Sequence, residues 1–258
     1  MFEEFLTVAL EAARSAGAIQ LEGLSRQQRI ETKSSPIDLV TEVDRACEAE
    51  IARQILERFP DHQLIAEEGT VGGANPRYRW IVDPLDGTTN YTHRYPCFSV
   101  SIGLEYQGEV VVGVVYDALH QELFRATKGG GAFLNDQKIA VSEVPSMSRG
   151  LLCTGFPGDQ AGNQQVLAAW EKISLKCHGI RRDGSAALDL CYVASGRLDG
   201  FWERLNSWDM AAGALIVVEA GGRVTNFGGG PFDLYQREIV AANGYIGPEM
   251  VEVLRTIS

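Results

Sequence analysis

Apolar residues near the start of the chain recur every three or four positions: Phe2, Phe5, Leu6, Ala9, Ala13, Ala16 and Ile19. That spacing places them on one face, so residues 2–22 are predicted to form an amphipathic helix. Val43, Cys47, Ile51, Ile55 and Phe59 step by four and predict a second helix, from near Thr41 to just before Pro60. Short apolar runs follow. Leu64-Ile65-Ala66 reads as a buried strand that stops at Glu67-Glu68-Gly69, and Arg79 to Val82 as another that stops at Asp83. SVSIGLEY (99–106) and VVVGVVYD (110–117) flank Gln107-Gly108, which predicts a hairpin; Glu122 to Thr127 adds a strand and Ile139 to Val141 a short closing piece. Beyond about residue 144 the period alternates. Strands are predicted near 151–154, 178–182, 223–225 and 239–242, and helices near 162–174, 185–195, 209–220 and 248–257. The pattern is that of a mixed α/β (α+β) protein with two halves, 1–143 and 144–258, and no linker or repeat between them.

Composition narrows the class. The 258 residues are 45% hydrophobic and 22% charged, the balance of a soluble globular protein. The net charge of −11 argues against nucleic-acid binding, which needs a basic surface. Glu3 and Glu4 stand where a secretion signal carries basic residues, and the apolar positions of the first helix are interrupted, which argues against a signal peptide or membrane span. Five cysteines, an odd number without CxxC spacing, read as reduced thiols filling the core of a cytoplasmic protein.

The candidate chemistry lies where strands stop. Glu67-Glu68 and Asp83…Asp86 each follow a strand, and Asp209 opens an alanine-rich helix in NSWDMAAGA. Strand ends and helix starts are where layered α/β proteins bind ligands. Carboxylates converging there would repel one another unless cations sit between them, and oxygen-only donors select hard ions such as Mg²⁺ or Mn²⁺. The competing reading is turn formation and helix capping, which for Asp209 alone carries equal weight. An EF-hand is excluded, because Leu85 and Gly87 occupy the third and fifth positions counted from Asp83. Gly87-Thr88-Thr89 adds a glycine before a helix start, the arrangement of a phosphate cradle.

WIVDPLDGTTNYTHRYPCFSVSIGL and SWDMAAGALIVVEAGG resemble the two signatures of the inositol monophosphatase family. KSSPIDLVTEVD, LIAEEG, GVVYD, TKGGGAFLND and RRDGSAALDL extend the resemblance along most of the chain. The resemblance implies a layered αβαβα sandwich of the sugar-phosphatase type, Mg²⁺-dependent hydrolysis of a phosphate monoester, inhibition by Li⁺ and a homodimer. By motif position, Glu67, Asp83 and the Leu85 carbonyl match ligands of one metal, and Asp83, Asp86 and Asp209 those of a second. Thr88 and Asp44 match the pair that orients the attacking water. The Gly87 and Thr88 amides match the phosphate cradle, and Gly184, Ser185, Ala186 and Glu203 the contacts to a hydroxylated ring. Lys33 matches a basic residue near the metals, and Glu68 an outer carboxylate. One departure is visible: Glu203 precedes Asp209 by six residues, one fewer than the family pattern.

The substrate implied is inositol 1-phosphate. Fructose 1,6-bisphosphate, nucleotide 3′-phosphates, histidinol phosphate and NADP are alternatives on the same scaffold, and a regulatory protein associated with RNA or transcription is an alternative of another class. His93 reads as structural, Tyr91, Tyr95, Trp202 and Trp208 as packing, and Cys97 and Cys191 as small apolar fillers.

Overall fold

A computed structural model describes residues 2–26, 30–32, 39–67, 69–73, 75–156 and 160–257. Lys33 and Glu68 lie outside the described residues. Helix α1 (Glu3–Leu24) buries Leu6, Ala9, Ala13, Ala16 and Gln20 along one face. Strands β1 (Ile30–Thr32) and β2 (Leu39–Thr41) pair as a small separate sheet. Helix α2 (Glu42–Arg58) starts at Thr41, whose hydroxyl accepts from the Val43 and Asp44 amides, while the Asp44 carboxylate reaches back to the Thr41 N–H. This reciprocal cap satisfies backbone donors that the helix start would otherwise leave unpaired.

The chain then runs through β3 (His62–Ala66), β4 (Gly69–Gly72), β5 (Asn75–Asp86), the single turn α3 (Thr88–Thr92), β6 (Ser99–Tyr106), β7 (Glu109–Asp117), β8 (Glu122–Thr127), β9 (Gly131–Leu134) and β10 (Gln137–Lys138). These build an eight-stranded sheet in the order β10-β9-β8-β7-β6-β5-β3-β4. It is antiparallel except for β3 beside β5. The second part consists of β11 (Leu151–Thr154), α4 (Gln160–Ser174), β12 (Gly179–Arg181), α5 (Ala186–Ala194), β13 (Gly200–Arg204), α6 (Ser207–Glu219), β14 (Arg223–Thr225), β15 (Glu238–Ala242) and α7 (Ile246–Leu254). Its five strands lie in the order β12-β11-β13-β15-β14.

Alternation along the strands sets the layers. On β5, Trp80 and Val82 pack with α1 and α2, whereas Ile81 joins α5 and α6. On β13, Phe201 joins that same inner cluster, and Trp202 turns outward to α4 and α7. The result is an αβαβα sandwich with α5 and α6 between the two sheets. The alanines of α6 have a packing reason. Gly103 and Gly113 face each other across β6 and β7, and a Cβ on Gly113 would stand 2.7 Å from the Ala212 carbonyl oxygen. The helix backbone therefore rests directly on the sheet. No described helix is long and apolar enough to cross a membrane.

The structure differs from the sequence pattern in several places. Ile139–Val141 is not a strand; the pairing falls to β9 and β10, because the glycine run at 129–131 turns the chain and its last residue already belongs to the ladder. Strand β13 is not predicted, since only Phe201 and Trp202 mark it between polar neighbours. Tyr95 is 53% exposed and packs no core. Tyr91 and Trp202 are fully covered, and the five cysteines are free thiols, four of them buried. The change of sheet falls between Lys138 and Leu151, yet α6 of the second half packs on β5, β6, β7 and β8 of the first.

Candidate active site

The site begins at an irregularity in β5. Asp83 pairs with Ser101 and Asp86 with Ser99, so three steps on β5 match two on β6. The extra residue makes a bulge, which re-aims side chains and leaves ladder groups unpaired. Here the Leu85 N–H donates to Asp83 Oδ1 at 3.0 Å, and the Leu85 side chain is fully buried in the core. Its carbonyl accepts from Thr88 Oγ1 at 3.0 Å. The bulge is also held from behind: Gln20 of α1 donates through Nε2 to the carbonyls of Pro84 (3.0 Å) and Ser99 (3.3 Å).

Helix starts supply the remaining parts. Asp86 caps α5: its Oδ1 accepts from the Ala186 N–H (3.2 Å), and its Oδ2 from the Ala187 N–H (2.9 Å) and the Ser185 hydroxyl. Asp209 sits in the first turn of α6, where its Oδ2 accepts from the Asn206 N–H at 2.8 Å. Asp44, in the first turn of α2, uses Oδ2 for Thr41 and Oδ1 for the Thr88 hydroxyl at 3.0 Å. Each helix start presents partial positive charge to these carboxylates.

Asp83, Asp86 and Asp209 place one oxygen each within 4.8 Å of one another. Asp83 and Asp86 are buried, and Asp209 keeps some surface. Burial, then the charges of Glu67, Asp86 and Asp209, push the Asp83 carboxyl well above the usual range. Asp209 is pushed up to about 8, first by burial and then by Asp86. Asp86 is raised by burial and held back by the donors of Ser185, Ala187 and Ala186. So dense an acidic cage holds protons unless a cation replaces them. An all-oxygen, half-open donor set fits a hard divalent ion. Glu67 stands at the exit of β3, half-buried, and its charge is felt by both Asp83 and Asp209.

Gly87 needs its missing side chain: its φ is +91°, and a Cβ would meet the Cys97 oxygen at 2.9 Å and the Gly184 oxygen at 3.1 Å. This contact brings the β5 loop against residues 183–186. Ser185 and Ala186 are buried and spend their hydroxyl and amide on Asp86, while Gly184 is half-buried. Glu203 is buried against Gly155, and its carboxyl is raised far above the usual range by burial and by Asp189 and Asp209. The short spacing from Glu203 to Asp209 is taken up by the two-residue link Leu205-Asn206 between β13 and α6. His93 is exposed at the end of α3.

Two residues that position the site were not singled out from the sequence. Asn90 Nδ2 donates to the carbonyls of Cys97 (2.7 Å) and Asp183 (2.8 Å), tying the residues after β5 to the segment 183–186. Its place directly after the two threonines was the available signal. Gln20 offered a weaker one, a polar residue on the apolar face of α1.

A family model described as the inositol monophosphatase family matches residues 1–258. An inositol-1-monophosphatase of Synechocystis is 46% identical over 98% of this chain and 89% of its own. A Nus factor SuhB of Pasteurella multocida is 42% identical over 97% of this chain and 95% of its own. The crystal structure of extragenic suppressor protein suhB from Bartonella henselae superposes with a TM-score of 0.93 at 39% identity, covering 98% of both chains.

Proposed function

The chain belongs to the inositol monophosphatase family, a family of phosphatases, and from that membership and the geometry of the site we propose that it hydrolyses inositol 1-phosphate to inositol and phosphate with Mg²⁺. The observation that carries the reading is the convergence of Asp83, Asp86 and Asp209 beside the Thr88–Asp44 pair. Glu67, Asp83, the Leu85 carbonyl, Asp86 and Asp209 would hold the ions. When bound, Mg²⁺ supplies positive charge to the phosphoryl oxygens and acidifies water.

The chain's own groups do the rest. The Thr88 hydroxyl has one proton and two acceptors at equal distance, Asp44 Oδ1 and the Leu85 oxygen, both 3.0 Å away. Once the Leu85 oxygen is committed as a ligand, that proton belongs to Asp44. The Thr88 oxygen is then left as an acceptor for a water O–H, fixing the water's direction of attack. Asp44 cannot swing away, because Thr41 holds its other oxygen. The Gly87 and Thr88 amides would receive the phosphate. Gly184, Ser185, Ala186 and Glu203 form the ring side, with Ser185 and Ala186 acting through Asp86. A protonated Glu203 can donate to a substrate hydroxyl as well as accept from one.

Sensitivity to Li⁺, replacement of Mg²⁺ by Mn²⁺, a homodimeric state and a cytoplasmic location belong to the same reading. The test is phosphate release from inositol 1-phosphate, fructose 1,6-bisphosphate, histidinol phosphate and adenosine 3′,5′-bisphosphate, with and without Mg²⁺ and Li⁺. Inositol 1-phosphate is expected to give the highest kcat/KM. Equal or greater turnover of another substrate, or turnover without a divalent ion, would reject the assignment.

A further inference from the structure

Below the ring-side segment lies a second meeting of ligand groups that the phosphatase reading does not use. Cys153 at the end of β11, Asp183 in the loop after β12, and Asp189 in the first turn of α5 each bring one ligand atom within 4.8 Å of the others. Cys153 is fully buried, Asp189 is 1% exposed, and Asp183 is half-buried. Asp189 Oδ1 has no hydrogen-bond partner. An acceptor left without a donor in the interior is destabilising, the more so where the group is charged. The remaining contacts do not remove that cost. The Cys153 thiol donates to the Thr154 carbonyl at 4.0 Å, which leaves Asp189 Oδ1 without a donor. Burial raises both the thiol and the Asp189 carboxyl far above their usual ranges, so the cluster holds protons that a cation can displace. Arg182 is a cationic neighbour that acts on Asp189.

The donor set differs in kind from the Asp83–Asp86–Asp209 cage. Hard ions such as Mg²⁺ favour oxygen throughout, whereas a thiolate with two carboxylates favours zinc and its soft relatives. We propose that Cys153, Asp183 and Asp189 form a binding site for a thiophilic divalent cation of the zinc class. Binding releases the thiol proton and any carboxyl proton to solvent, and water completes the coordination from the side of half-exposed Asp183. The site lies one helical turn from the Ala186 and Ala187 amides that hold Asp86, so its occupant stiffens the support of the acidic cage without entering it.

The test uses the full chain with Mg²⁺ in excess, so that the oxygen cage is occupied, and titrates Cd²⁺ while following the ultraviolet charge-transfer band of a cadmium thiolate. One equivalent is expected to saturate the band, and Zn²⁺ to remove it by competition. Cys153→Ser should abolish it, Asp189→Asn should weaken Cd²⁺ binding at least tenfold, and Cys177→Ser, altering a half-buried thiol elsewhere, should leave it unchanged. Absence of the band with excess Cd²⁺, its survival in Cys153→Ser, or its loss in Cys177→Ser would overturn the proposal. Should Asp189→Asn fail to melt cooperatively, the near-isosteric Cys153→Ser carries the test alone. The readout needs no phosphate release, so its outcome is independent of the proposed activity.

Discussion

Gln20 offers a direct measure of how firmly the β5 bulge must be held. Its amide nitrogen satisfies two carbonyls, those of Pro84 and Ser99, at the place where the β5–β6 ladder is interrupted. Gln20→Met keeps the length and apolar volume but removes the donor. Two buried acceptors then lose their partner, at about 1–3 kcal/mol each, with the 3.3 Å contact toward the lower end. Against this, Gln20 Oε1 is itself buried without a partner, so the wild type already carries a penalty of about the same size that methionine removes. The expected net loss is about 1–3 kcal/mol, or a Tm lower by roughly 2–12 °C for a chain of this length. Urea unfolding with an unchanged m-value should show the loss. Because Leu85 and Asp86 belong to the bulge, the Mg²⁺ concentration for half-maximal stabilisation should rise as well. Gln20→Glu should be worse than methionine, since a carboxylate would face two carbonyl oxygens. A methionine variant within about 0.5 kcal/mol of wild type, the range of an ordinary surface change, with unaltered Mg²⁺ dependence, would refute the reasoning.

Asp83→Asn keeps an oxygen for the Leu85 N–H and removes one charge from a repelling cluster; turnover should vanish, while the Mg²⁺-free protein melts no lower than wild type and loses its Mg²⁺-induced shift in calorimetry. Thr88→Ala should lower kcat far more than it changes KM in steady-state kinetics, because it removes the oxygen proposed to direct the water and keeps the backbone amide proposed to meet the phosphate. Gly113→Val should push α6 from the sheet and displace Asp209, lowering both Tm and activity by more than Gly244→Ala, where a Cβ meets nothing within 4 Å. His62 is stacked on Tyr78 and Phe59 and accepts from Trp80 Nε1 at 3.1 Å; burial lowers its pKa below the usual 6.5, opposed in part by Asp61. The native ring stays neutral to lower pH than the unfolded one, so its contribution is complete above 6.5 and lost as pH falls through 6.5 toward the native value. His62→Gln should flatten that part of the urea midpoint profile.

The helices were legible because their apolar periods are long, as in α1 and α2, and the strand exits were legible because Asp83 and Asp86 end an apolar run. What was hidden depends on distant partners. Strand β13 carries two apolar residues and is recognisable only by the strands on either side of it. The resemblance places Ser185 among the ring contacts, and in the structure its hydroxyl goes to a carboxylate 99 positions away. No local pattern announces that pairing, nor the reach of Gln20 to a strand bulge 64 residues further on.

The turn that opens α2 has a consequence for the protein at rest. Thr41 and Asp44 close that helix with the same carboxylate that takes the Thr88 hydroxyl. Fraying of a few residues there would release the partner of Thr88 without disturbing either sheet. Deuterium uptake at the Val43 and Asp44 amides thus reports, before any ligand is added, how often the Thr88–Asp44 pair comes apart.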